Sequence, residues 1–108
     1  MPDARRVVVT GIGAVTPIGT GAELLWAGLR ARRSAVGHVT RFDATPFRTR
    51  VAGEVPDFHP SDFVEERRVK RLDRCSQFTL AAARLAIADA SLDLRREDPD
   101  RTGAMMGT

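Results

Sequence analysis

The run Val7-Val8-Val9-Thr10 constrains the fold more than any other segment, because it is β-branched throughout, lacks polar alternation, and leads through Gly11-Ile12-Gly13 toward Glu23-Leu24-Leu25-Trp26. Such a run is how a strand buried on both faces of a parallel sheet reads in sequence. A strand, a glycine turn and a sheet-packed helix are therefore expected in that order. At the other end, Thr102-Gly103-Ala104-Met105-Met106-Gly107-Thr108 is again apolar and strand-like. Terminal strands in a chain of 108 residues leave unpaired edges, and no acid, base, metal or nucleophile constellation stands between them. The chain is thus expected to be the front portion of a larger α/β enzyme, its chemistry carried by residues outside it.

Between these ends the punctuation is clear. Thr20 and Glu23 form a possible capping box for a helix over about residues 21–31, with Ala22, Leu25, Trp26 and Leu29 on the sheet side. Gly37, Pro46, Gly53, Pro56 and Pro60 break the next stretch into turns, within which Arg50–Val55 is the best strand. Ser61 and Asp62 are read as the start of a second, strongly charged helix, and a bend near Asp73 separates it from a third that ends near Ser91. Cys75, Phe78, Thr79, Ala82, Leu85 and Ala86 share one face of this third helix. Its six alanines between Ala81 and Ala90 keep it slim enough for another backbone to approach closely.

Composition narrows the class. With 43% apolar and 29% charged residues the chain is globular rather than disordered. No apolar stretch nears the roughly 18–20 residues of a membrane span, and Met1-Pro2-Asp3-Ala4-Arg5-Arg6 is no signal-peptide core, so a cytoplasmic protein without a membrane partner is expected. One cysteine permits no internal disulfide. The +3 charge comes from 17 Lys plus Arg against 14 Asp plus Glu, most of the bases being arginine. Such a balance suits nucleic acid, an acidic protein, or simply an arginine-rich proteome. Without interleaved aromatics or a nucleic-acid motif, nucleic acid is the weakest of these.

Gly11-Ile12-Gly13 invites a dinucleotide-binding reading, but Thr16 stands where the third glycine belongs, Pro17 follows it, and no strand ending in an acid lies about 20 residues on. The glycines read instead as serving a tight turn, and no cofactor is expected. Cys75 shares its stripe with Phe78 and Ala82, which predicts core packing rather than a nucleophile. His38 and His59 lie in turn-rich segments with no second ligand at metal spacing, so no metal site is expected. Arg67, Lys70, Arg71 and Arg74 recur at helical spacing and predict a basic ridge on one face. That ridge reads either as a solvated face or as a surface for an acidic protein or a phosphate group.

Collinear stretches across nearly the whole chain resemble the amino-terminal part of a β-ketoacyl-acyl carrier protein synthase, the elongating type II condensing enzyme of fatty-acid synthesis. They are Arg5–Gly13 with Thr16-Pro17-Ile18-Gly19, Phe42-Asp43 leading to Val51-Ala52-Gly53, Arg71-Leu72-Asp73-Arg74 with Ser76-Gln77-Phe78, and Asp100-Arg101-Thr102-Gly103 with Gly107-Thr108. The resemblance implies an α/β, thiolase-like fold of which residues 1–108 form a partial N-terminal domain, within a homodimer. It implies a decarboxylative Claisen condensation of an acyl-enzyme thioester with malonyl-carrier protein, by a cysteine and two histidines lying beyond Thr108. No catalytic role passes to Cys75. It also implies that Arg67, Lys70 and Arg71 contact acyl carrier protein, and that Gly103 and Gly107 begin a loop shaping the acyl pocket. A ketosynthase of an aromatic polyketide system, or its non-catalytic chain-length partner, is the nearest rival reading. A small carrier-protein or nucleotide-binding module is the rival from another class.

Overall fold

Short hairpins and helices, without a central sheet among the described residues, make up the computed structural model, which describes residues 4–107. Strand β1, Val15–Thr16, pairs antiparallel with β2, Gly19–Thr20, around a Pro17-Ile18 turn. The Thr16 hydroxyl closes this turn, donating to the Gly19 carbonyl at 2.9 Å and accepting from its N–H at 3.2 Å. Helix α1 spans Ala22–Arg30. The hairpin of β3, Gly37–His38, and β4, Val51–Ala52, follows. A 3₁₀ turn at Pro60–Asp62, the single-turn helix α2 at Glu66–Val69, the long helix α3 at Arg74–Asp89 and a second 3₁₀ turn at Pro99–Arg101 complete the order.

Local chemistry accounts for the helix limits. Asp73 caps α3 by accepting the Ser76 N–H at 2.7 Å, and the alanines that follow have the highest helix propensity. Both long helices end in a left-handed residue, Arg32 after α1 and Ser91 after α3, with φ near +52° and +51°. Backbone bonds from Arg33 to Gly28 and from Leu92 to Ile87 then close the last turns. The expected capping box at α1 does not form. Gly21, at φ +93° and ψ +152°, occupies the N-cap position and brings no side chain to it; its N–H instead donates to the Ala14 carbonyl at 2.7 Å.

Gly11 and Gly13 do something other than make a tight turn. Their backbone lies against α3, where a Cβ on Gly11 would come within 2.7 Å of the Ala90 Cβ and one on Gly13 would overlap the Ala82 carbonyl oxygen. The Ile12 N–H between them donates to Asp89 Oδ2 at 2.8 Å. The slim alanine face of α3 is thus what admits this segment, and Ala81 beneath it is fully buried.

Other expectations are corrected. Val7–Thr10 is not a buried strand: it is unpaired, and Val7 is 87% exposed, because the described β segments pair only with one another. Ala22, Trp26 and Leu29 consequently have no sheet to cover and stay exposed, lining with Ile12 and Leu25 a shallow depression of about 250 Å³. The strand expected over Arg50–Val55 contracts to Val51–Ala52, since β3 offers only Gly37 and His38 to pair with. The helix expected from Ser61 begins as a 3₁₀ turn, its Pro60 at the start and Phe63 closing it. Residues 102–107 form no strand, and Thr108 lies outside the described residues.

Surface measures agree with this open build. The accessible surface is 9579 Å², against about 5,900 Å² for a compact protein of this mass. The radius of gyration is 17.5 Å, where a compact chain of this length has about 13 Å.

Candidate functional site

Charge concentrates where α2 meets α3. Helix α2 is one turn long, and past Val69 the backbone tightens to 3₁₀ bonding, with Arg71 N–H to the Arg68 carbonyl at 2.9 Å and Leu72 N–H to Val69 at 3.1 Å. Three residues per turn in place of 3.6 shifts the faces. Arg67, Arg68 and Arg71 come together around a depression of about 330 Å³, while Lys70, also exposed, lies off it. Two of the sequence-expected residues, Arg67 and Arg71, are therefore joined by Arg68, which the 3.6-residue period had assigned elsewhere. Arg67 pairs with Glu65 at 2.9 Å, but both side chains are largely solvated, so the pair is weak and easily exchanged.

Arg74 leaves the ridge that the sequence predicted. Its guanidinium lies 4.8 Å from the Phe78 ring centroid and 5.2 Å from that of Phe58, and Nη2 donates to the Val55 carbonyl at 3.1 Å. Desolvation against these rings, and secondarily the charge of Arg41, lowers its pKa below the ordinary arginine value. Phe58, only 7% exposed, meets Phe78 edge-on at 4.9 Å and stacks on Phe63 at 5.9 Å. Gln77 is a second residue that sequence reasoning passed over. Its Nε2 donates to the Val69 carbonyl at 3.3 Å and to the Leu72 carbonyl at 3.1 Å. Both stand in the Arg71–Phe78 stretch, spaced by three on one helix after the Leu72-Asp73 break, but nothing in the sequence shows which groups they bind.

Elsewhere the expected sites resolve plainly. Cys75 is exposed instead of packed in a core, because α3 turns that edge of its stripe outward; its carbonyl accepts the Thr79 hydroxyl at 3.0 Å. His38 sits exposed on β3 and His59 exposed before the Pro60 turn. Among the described residues no His, Cys, Asp or Glu cluster has metal-binding geometry, and no helix is long and apolar enough to cross a membrane. The side of Gly11 and Gly13 where a pyrophosphate would approach is filled by α3, which argues against the nucleotide-binding module.

Over residues 4–108 the chain matches the family model described as "Beta-ketoacyl synthase, N-terminal domain". It is similar to the 3-oxoacyl-[acyl-carrier-protein] synthase 2 of Synechocystis, 42% identical across 98% of this chain and 26% of that protein. It is 47% identical to the oxytetracycline polyketide putative beta-ketoacyl synthase 1 of Streptomyces rimosus, across 98% of this chain and 25% of the relative. Among solved structures, the ishigamide ketosynthase/chain length factor superposes with a TM-score of 0.75 at 46% identity, covering 82% of this chain and 22% of that one. The chain belongs to the beta-ketoacyl synthase family, and its architecture is the opening part of that α/β, thiolase-like fold. It spans about a quarter of the length of the curated relatives it matches.

Proposed function

We propose that residues 1–108 form a partial N-terminal domain of a 3-oxoacyl-[acyl-carrier-protein] synthase acting in fatty-acid synthesis, as a homodimer in the cytoplasm. The observation that supports this most directly is the collinear match, across 98% of the chain, to a synthase of that name. In the full-length protein an enzyme thiolate takes the acyl group from its carrier thioester. Malonyl-carrier protein then loses CO₂, and the resulting carbanion attacks the acyl-enzyme carbonyl. The new C–C bond gives 3-oxoacyl-carrier protein and releases the thiolate. The cysteine and the two histidines for these steps belong to polypeptide outside this chain, and Cys75 takes no part.

The chain itself contributes scaffold and a docking surface. Arg67, Lys70 and Arg71, with Arg68 completing the arginine cluster, are exposed cations that suit the acidic face of acyl carrier protein. Opposite charges steer encounter and fix register, so the contact is salt-sensitive. Replacing Arg67, Lys70 and Arg71 together by Glu in the full-length enzyme is expected to weaken carrier affinity by about 100-fold at low salt, like charges then facing one another. Unchanged affinity by titration at low salt would remove the docking role. For the reaction itself, purified full-length protein given acyl- and malonyl-carrier protein should yield 3-oxoacyl-carrier protein and one CO₂ per condensation.

A polyketide role is the second reading, favoured by the 47% identity to the oxytetracycline protein. Turnover with carrier protein of a polyketide system, and none with that of fatty-acid synthesis, would favour it. A full-length protein without the nucleophilic cysteine would be a chain-length partner.

A further inference from the structure

Lys70 and Arg71 lie on a four-residue backbone segment whose two ends are both tied to one side chain of α3. Gln77 holds the Val69 carbonyl before them and the Leu72 carbonyl after them. The Val69 carbonyl already accepts the Leu72 N–H, so Gln77 adds a second bond there and reaches on to Leu72, past the end of a one-turn helix that its own few bonds hold only weakly. Arg74, one turn earlier on α3, reaches the other way. It binds the Val55 carbonyl and stacks with Phe58, which packs on Phe63 just before the buried Val64 and the start of α2. Gln77 bonds the turn directly on both sides of Lys70 and Arg71, and Arg74 braces the Phe58–Phe63 pair that precedes the turn, while the cations remain solvated.

We propose that Arg74 and Gln77 are positioning residues that clamp the basic turn Arg67–Arg71 onto α3, so that its cations meet an acidic carrier protein on a backbone already in its bound shape. The inference rests on the docking reading above. A loose turn would have to be ordered on binding, and that cost would subtract from affinity. A clamped one leaves only the long side chains to settle.

The test uses the full-length protein with Gln77→Met and Arg74→Met, which keep the apolar stems and remove the donors. Each is expected to raise the dissociation constant for acyl carrier protein about five-fold, the weight of roughly one hydrogen bond. Amide exchange should quicken over residues 67–72 while the middle of α3 exchanges as before. Gln77→Asn, too short to span both carbonyls, should behave like Gln77→Met, and Arg74→Lys should fall between Arg74→Met and the parent. Unchanged affinity despite faster local exchange overturns the proposal, as does affinity lost together with protection throughout the protein, which marks a merely structural role. If the triple Glu variant leaves affinity untouched, the docking reading itself has failed. If that variant weakens binding and the Met variants do not, only the clamp has.

Discussion

Gly13 carries one of the tightest constraints in the molecule, and it is a constraint of contact rather than conformation. Its backbone sits on Ala82 and Ala86, so even a methyl group would press on helix backbone that cannot swing aside. Gly13→Ala in the full-length protein is therefore expected to destabilise by about 1–3 kcal/mol, the range for overpacking, read as a lowered thermal midpoint. Ala substitution at Gly37, where a Cβ meets open space, is the control and should leave the midpoint nearly unchanged. The sequence held half of this information. Glycines at 11 and 13 and alanines at 82, 86 and 90 were visible, but nothing in one dimension says that the two sets face each other. Cys75 shows the converse, since a place on an apolar stripe predicts burial only when a partner covers that edge.

Among the elements, the β3–β4 hairpin is tied beyond its backbone ladder by a single carboxylate. Glu54 accepts the Thr40 N–H at 3.0 Å, the Thr40 hydroxyl at 2.7 Å and the Arg41 N–H at 3.2 Å, tying the chain after β4 to the chain after β3. The Thr40 hydroxyl and then the Thr40 N–H hold its pKa below the ordinary glutamate value of 4.5. A carboxylate with a depressed folded-state pKa stabilises fully above its unfolded pKa and loses that contribution as pH falls through the folded value. Glu54→Gln should thus lower the thermal midpoint most above about pH 5, and the gap to the parent should close as pH drops through the lowered folded value. A gap that is constant with pH would mean that charge on Glu54 is irrelevant to the hairpin. Helix α3 was legible because Asp73 and the alanines are local signals of capping and propensity. Helix α2 was legible in position but not in shape, because nothing in the sequence marks the 3₁₀ closure through Arg71 that brings Arg68 into line with Arg71, nor the Gln77 bonds to Val69 and Leu72 from another helix.

For the molecule as a whole, the conflict between sequence and structure at Val7–Thr10 is itself informative. A β-branched run without polar alternation has the pattern of a doubly buried strand, yet here it stands unpaired and exposed, and Trp26 is 62% exposed. Pattern and exposure are reconciled if strand partners and a covering layer are supplied by the rest of a protein about four times as long, consistent with the quarter-length coverage of the relatives. The family and the α/β class were readable from residues collinear with known synthases, whereas the sheet was not observable in a segment whose neighbours are nonlocal. Hydrogen exchange separates the two situations directly. In the full-length protein, amides of Val7–Thr10 should be protected by at least about 1000-fold relative to the isolated 108-residue chain, as expected for core strands set against fraying segments. The isolated chain should also bind an apolar dye that the full-length protein excludes, through Val7–Val9 and the face around Trp26. Equal exchange in both, with no dye binding by either, would mean that this segment is not an interior strand of the full-length protein.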